Sequence, residues 1–238
     1  MTRACAWYIP QRTGAWCAAL ALVLAGCTTE QRSPGQGSST FTALCADIDN
    51  SYECAQAIER YQLRESANAG GVARRGGALH VQLQDGKSVT VADTSPDEES
   101  AAKYSFREYL SEIGYFLLHR QLYEGEEYVM LHHRTGQMFA VPNVPVISPD
   151  GARVVTTFPG LSGGYSPNAV QIWLLAPDGL VEEYAIHPRD WEPTGATWVD
   201  GSTIRLETRT HAPGGDEIRL QSMELKLRDG KWIIPSVP

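Results

Sequence analysis

From residue 78 onward, apolar residues recur at every second position in short runs that are separated by turns. In ALHVQL, for example, Leu79, Val81 and Leu83 fall on one face of an extended chain, and SVTVAD repeats the pattern. This alternation predicts strands with one buried face, and Asp85-Gly86 between the two runs predicts a hairpin turn. Similar runs continue to residue 234, and only residues 103–113 fit a short helix as well as a strand. The pattern therefore predicts an all-β domain over residues 72–238.

The turns between these runs also repeat. Four two-residue turns follow one another at spacings of 43 to 51 residues: Asp85-Gly86, Thr135-Gly136, Asp178-Gly179 and Asp229-Gly230. A second pair of turns lies 50 residues apart: Ser148-Pro149-Asp150-Gly151 and Asp200-Gly201. Each unit reads as a strand, a long loop, a second strand, an Asp-Gly turn and a third strand, and repeats of about 40–50 residues with several strands are typical of propeller blades.

The segment VISPDGARVVTT, followed by VQIWLL, resembles the S-P-D-G entry strand of TolB-like propeller blades. The resemblance covers residues 144–186 well and residues 195–234 loosely, and it implies a small propeller. A propeller has at least about four blades of four strands, however, and residues 78–238 supply three such units and part of a fourth. A β-sandwich or barrel of repeated hairpins is therefore an equal alternative.

The N-terminus has the features of an export signal. Arg3 and Arg12 precede a short apolar run, residues 13–24, which is shorter than the roughly 20 residues that a membrane span needs. Leu24-Ala25-Gly26-Cys27 then resembles the lipobox of bacterial lipoproteins. That resemblance implies that residues 1–26 are a signal peptide and that Cys27 carries lipid. Because Thr28 follows the cysteine, it also implies an outer-membrane anchor that faces the periplasm.

Between the predicted anchor and the domain, we expect a tether and a small helical element. Residues 27–43 are rich in Gly, Ser, Thr and Pro, a composition typical of flexible linkers. Residues 44–71 contain one short predicted helix, which begins at Asn50 with Glu53 as its capping-box partner. In an exported protein, Cys45 and Cys54 predict one local disulfide, with two buried thiols as the alternative.

Charge narrows the classes of partner. The chain has 20 basic and 28 acidic residues, a net charge of −8. Removal of residues 1–26 takes away Arg3 and Arg12 and no acidic residue, so the mature charge becomes −10. A negative surface argues against nucleic acid, since binding to phosphates depends on Lys and Arg.

The segment GLSGGY, residues 160–165, has the G-x-S-x-G spacing of a serine hydrolase, and His187 would be a candidate base for Ser162. A nucleophile elbow needs a strand directly before the serine and a helix directly after it. Here the flanking runs both predict strands, so a hydrolase is the less favoured reading and we expect no enzyme activity.

Ser162-Gly163-Gly164-Tyr165 also resembles S-G-x-Y, the loop motif of periplasmic lysozyme inhibitors. That resemblance implies a loop that enters the lysozyme cleft, and an acidic inhibitor would complement a basic enzyme. A structural hairpin loop is the alternative. We therefore take one candidate binding loop, with Trp191 as an added candidate because HPRDWEP predicts a loop: Ser162, Gly163, Gly164, Tyr165, Asn168 and Trp191.

No motif predicts a metal or a cofactor. His132 and His133 are adjacent in a predicted strand, so they point to opposite faces and suit one metal poorly. Overall, the sequence predicts an envelope lipoprotein whose β-domain is a non-enzymatic binding or scaffolding module with a protein partner. A lysozyme inhibitor and a serine hydrolase are the alternatives.

Overall fold

The computed structural model describes residues 39–65, 71–94, 101–160, 167–211 and 218–235. The predicted all-β class is confirmed, because these residues form fifteen strands in four antiparallel sheets together with two short helices. In this part of the chain, no helix has the length and apolar character needed to cross a membrane.

Each sheet is a meander of strands that are consecutive in the chain. The first sheet contains β1 (Val72–Arg75), β2 (Ala78–Gln82) and β3 (Ser88–Ala92). The second contains β4 (Ala102–Leu110), β5 (Tyr115–Leu122), β6 (Gly125–His132) and β7 (Met138–Val141). The third contains β8 (Val146–Ile147), β9 (Arg153–Phe158), β10 (Ala169–Ala176) and β11 (Gly179–Ile186). The fourth contains β12 (Glu192–Asp200), β13 (Thr203–His211), β14 (Ile218–Arg228) and β15 (Lys231–Ile233).

The ambiguous segment 103–113 is mainly strand, because β4 pairs along its length with β5. The repeated turns occupy equivalent places. The Asp85, Thr135, Asp178 and Asp229 turns each close the last hairpin of a sheet, and the Ser148 and Asp200 turns close the first hairpin of the third and fourth sheets. Asp229 and Gly230 have φ values of 50° and 74°, the positive values that a tight turn between twisted strands requires. The sequence repeat is therefore one sheet.

The connections of each meander lie at the two opposite ends of its strands. We call the strand end with the short repeated turns the turn edge; there, the Arg134 side chain contacts Asp178 of the next sheet. The opposite edge, the loop edge, holds most of the longer connections. At this edge, Asn143 Nδ2 donates to Thr157 O at the end of β9, a 3.0 Å contact between the β7–β8 connection and the third sheet.

Successive sheets pack face to face, and each of three buried clusters joins two neighbouring sheets. The first and second sheets share Val72, Leu79, Val81, Leu83, Val91, Phe106, Phe116, Leu118, Val129 and Leu131. The second and third share Leu110, Tyr115, Leu117, Tyr128, Met130, Val141, Ile147, Val154 and Leu180. The third and fourth share Val155, Val170, Ile172, Trp198, Ile204, Leu206, Leu225 and Trp232.

The outward faces of the first and last sheets are mainly polar, although Ile218 and Leu220 are exposed on the fourth sheet. His80 and Thr90 alternate with buried Leu79 and Val91 in the first sheet, and Arg205 and Glu207 alternate with Ile204 and Leu206 in the fourth. Within the described residues, the strands close no barrel, and no buried cluster joins the first sheet to the fourth. The sandwich-like alternative therefore fits, while the resemblance to propeller blades stays a prediction.

Within residues 39–65, two helices precede the sheets, where the sequence predicted one. The predicted helix is α2 (Ser51–Glu65), and Asn50 Oδ1 caps it by accepting from Tyr52 N at 2.8 Å and Glu53 N at 3.2 Å. The additional helix is α1 (Ser39–Cys45), which begins inside the range predicted as tether. Seven residues are too few for an amphipathic pattern or for an independently stable helix, so local sequence could not predict α1.

Helix α2 is bound to the edge of β4 by side chains. Glu59 is buried and makes two hydrogen bonds with Arg74, at 2.9 and 2.7 Å. Glu59 Oε2 also accepts from Phe106 N at 2.7 Å. Asp93, in the connection between β3 and β4, accepts from Tyr104 N through Oδ1 at 2.9 Å. These carboxylates satisfy β4 amides that would otherwise lack a strand partner.

Candidate functional site

The predicted binding loop is the β9–β10 connection on the loop edge. Ser162, Gly163, Gly164 and Tyr165 lie outside the described residues, as does the lipidation candidate Cys27. The structure describes both ends of the loop, at Gly160 and at Asn168. It also describes the β11–β12 connection beside it, which contains Trp191.

Asn168 is the residue that joins these two connections. Its side-chain amide donates to Pro188 O and to Trp191 O, each at 2.7 Å. Its Oδ1 accepts from Gly160 N at 3.3 Å, across the base of the candidate loop. Asn168 is 7% exposed, so these hydrogen bonds form away from water and are costly to break. One buried side chain thus connects both ends of the loop to the neighbouring sheet.

Trp191 is half-buried and packs against the cluster between the third and fourth sheets. Its main-chain oxygen accepts one of the Asn168 hydrogen bonds, so the position of the residue is determined by the same contact. The structure therefore brings Asn168 and Trp191 together, as two supports of one loop base.

An ion pair with a buried carboxylate adjoins this base, and sequence reasoning missed it. Glu192 is 0% exposed and accepts a hydrogen bond from Arg209 Nε on the paired strand β13. A buried carboxylate is stable only where such partners compensate for lost hydration. Nothing in WEPTG signals burial of its glutamate, because the partner is 17 residues away.

His187, the candidate base for Ser162, also lies next to Asn168. Its Nδ1 donates to the main-chain oxygen of Asn168 at 3.2 Å. Because a carbonyl oxygen can only accept, this hydrogen bond places a proton on Nδ1. The His187 ring is therefore one of the groups that form the base of the loop.

The other predicted site residues are distributed as follows. The Cys45–Cys54 disulfide is confirmed. His132 and His133 point to opposite faces: the His132 ring lies 4.8 Å from Tyr115, and the His133 ring lies 5.1 Å from Phe116 on the other side of the sheet. Among the described residues, no group of three His, Cys, Asp or Glu side chains could hold a metal ion.

The turn edge carries a cleft of about 420 Å³ between the second and third sheets, which the sequence did not predict. Its walls include Ile113, Tyr115, His132, Arg134 and Leu175. Burial raises the pKa of Tyr115 to about 12, so its phenol stays neutral. Burial, together with the charge of Arg134, lowers the pKa of His132. The cleft therefore combines the rings of Tyr115 and His132 with one acidic and one basic side chain, Glu112 and Arg134.

The chain was also compared with known proteins. No protein-family model matches the sequence. A search of curated proteins likewise finds no match.

Proposed function

We propose that this protein is a lipid-anchored, non-enzymatic binding module of the bacterial cell envelope and that it recognises a protein partner through the loop edge. The observation that carries the proposal is the buried Asn168 amide, which holds both ends of the candidate loop and the Trp191 segment in one arrangement. Recognition loops are effective when a rigid scaffold positions them, because less conformational entropy is then lost on binding.

The anchor is supported by Leu24-Ala25-Gly26-Cys27 after a short apolar run. Several acyl chains on one residue bind a membrane stably, since each buried CH₂ contributes about 0.8 kcal/mol. The disulfide supports export, because such bonds persist in oxidising compartments. We expect Cys27→Ser to move the protein from the membrane fraction to the soluble fraction. Retention of Cys27→Ser in membranes would contradict the anchor without bearing on the loop.

The loop is tested by placing a photo-crosslinking amino acid at one position in living cells. Position 165 lies in the candidate loop, and position 178, on the turn edge, is the matched control because Asp178 is 94% exposed. We expect a discrete crosslinked protein from position 165 and none from position 178. Equal crosslinking from both positions, or none from position 165, would contradict loop-edge recognition.

Lysozyme is the first partner to test, on the basis of the Ser162-Gly163-Gly164-Tyr165 motif and the acidic mature chain. Purified protein is added to a panel of lysozymes, as wild type, Tyr165→Ala and Asp178→Ala. We expect inhibition by wild type and Asp178→Ala, and loss of inhibition in Tyr165→Ala. If no lysozyme is inhibited, this partner is wrong and the crosslinked protein identifies another.

A further inference from the structure

The disulfide joins two helices that are held to the domain very differently. Helix α2 is held by the Glu59 hydrogen bonds to Arg74 and to the β4 backbone. Helix α1 has one buried side chain, Phe41, and its last residue, Cys45, is bonded to Cys54 on α2. A seven-residue helix is not stable alone, so α1 depends on tertiary contacts and on this cross-link.

Helix α1 covers a cation on the second sheet. The Arg107 guanidinium lies 5.0 Å from the centre of the Phe41 ring and 5.6 Å from that of Tyr128, between the two aromatic groups. The Arg107 side chain is 14% exposed. Its closest carboxylate oxygen to Nε, on Glu108, is 3.7 Å away, beyond hydrogen-bond distance.

The covered surface is incompletely hydrogen-bonded. Among the described residues, Arg107 Nε and Gln121 Oε1 are buried without a partner. The amide of Gln121 donates to Ser51 Oγ at the start of α2, which places this second group beside the joint between the helices. Buried polar atoms without partners disfavour the closed arrangement, because water would satisfy them if the cover opened.

We infer that the Cys45–Cys54 bond is a latch that keeps α1 closed over Arg107, and that a dithiol reductant opens this cover without unfolding the sheets. Both sulfur-bearing residues are partly exposed, so a thiolate can reach the bond. The dithiol supplies two electrons and two protons; the Cys45–Cys54 bond breaks to two thiols, and the dithiol becomes a disulfide. Opening releases residues 39–50, whereas Glu59 keeps α2 on β4.

The latch is tested by labelling arginines with phenylglyoxal and reading each site by peptide mass spectrometry. Arg120 is the internal control: it lies on the same sheet, 5.8 Å from the Tyr104 ring, and is bonded to Glu127. On treatment of the purified protein with dithiothreitol, we expect labelling of Arg107 to accelerate by about tenfold or more while that of Arg120 stays unchanged.

A Cys45→Ser, Cys54→Ser double variant separates the latch from other effects of the reductant. We expect it to label Arg107 at the fast rate before dithiothreitol is added and to show no further change afterwards. If this variant does not fold, reversal of the fast labelling in wild type on reoxidation is the deciding measurement.

Amide hydrogen exchange gives the second readout. We expect faster exchange across residues 39–50 after reduction and unchanged exchange in β5 and β6. Unchanged labelling of Arg107 would overturn the latch, since the cover would then be closed without the bond. Faster exchange in β5 and β6 would overturn it too, because the disulfide would then support the whole domain.

Discussion

The turn edge and the loop edge differ in how they connect consecutive strands. At the turn edge, short turns join strands, and packing between sheets is close: Gly179 lies against the Phe139 ring, and Gly201 lies against the Asp150 carboxylate. At the loop edge, several connections are longer, and hydrogen bonds from buried or half-buried amides of Asn143 and Asn168 hold them. A tight turn leaves its residues few allowed conformations. A longer loop whose two ends are held by hydrogen bonds can vary in sequence between those ends.

The largest expected difference between the edges concerns two glycines. Gly179, on the turn edge, and Gly125, on the loop edge, have φ values of 151° and 145°, so alanine strains both backbones alike. An added Cβ would lie 2.2 Å from Phe139 Cζ at Gly179 and within 4 Å of nothing at Gly125. We expect Gly179→Ala to destabilise by about 3 kcal/mol and Gly125→Ala by about 1 kcal/mol, measured by urea unfolding.

The double variant Gly179→Ala, Phe139→Leu tests the cause. The shorter leucine should recover part of the lost stability if steric overlap with the ring is responsible. Equal losses for the two single glycine variants would mean that the turn edge is no more tightly packed than the loop edge.

The next effect is at the base of the candidate loop. Asn168→Ala leaves the buried oxygens of Pro188 and Trp191 without their donor, and we expect a loss of about 2–3 kcal/mol in thermal or urea unfolding. Asn143→Ala is the matched variant, since that half-buried amide makes one donor contact, to Thr157 O. We expect it to cost about 1 kcal/mol. Similar costs for both would contradict a special role for Asn168.

A smaller effect on the turn-edge side of the molecule depends on pH. Burial alone would raise the pKa of Glu183, but hydrogen bonds from Arg153 and Trp232, together with the charge of Arg153, outweigh burial and hold the pKa below its ordinary value. A carboxylate with a lowered folded-state pKa adds stability above its unfolded pKa and loses it as the pH falls through the folded pKa.

We therefore expect the unfolding free energy of wild type to fall more than that of Glu183→Gln between pH 6 and pH 3. The difference should be below about 1 kcal/mol, because solvent screens a partly exposed pair. The exposed neighbour Glu182, replaced by glutamine, is the control. Parallel pH profiles for wild type and Glu183→Gln would show that the Arg153–Glu183 pair within the third sheet adds nothing.

The smallest expected effect is that of Asp178→Ala. Asp178 is 94% exposed and its contact with Arg134 is 3.1 Å long, so the ion pair competes with water and salt. We expect less than about 0.5 kcal/mol of change in urea unfolding. A loss above 1 kcal/mol would show that this contact contributes to cohesion between the second and third sheets, and Asp178 would then be a poor control for binding.

Much of the local structure could be predicted because its causes are local. Alternation identified β2 and β3, and Asp85-Gly86 identified the turn between them. Asn50 marked the start of α2 because its side chain caps amides two and three residues away. The disulfide was predicted because Cys45 and Cys54 lie close in sequence in a chain that is expected to be exported.

The contacts that position the candidate site were harder to predict because their partners are distant in sequence. Glu192 looks like any surface glutamate until β13 brings Arg209 beside it. Asn168 was chosen for its place in the loop, but its role at the loop base depends on carbonyl groups 20 and 23 residues away. No periodic pattern in the sequence marks helix α1. The helix is stabilised instead by a distant contact, that of Phe41 with Arg107 on the second sheet.

By itself, the sequence determined most of the strands and turns, the α2 cap and the disulfide, since side-chain alternation and turn chemistry act over a few residues. Tertiary structure decided that the four sheets pack in succession through three shared buried clusters. Alternation states which face of a strand is buried but not which sheet covers it. The covering sheet is set by contacts such as that of Trp198 Nε1 with Val146 O, which join residues 52 positions apart.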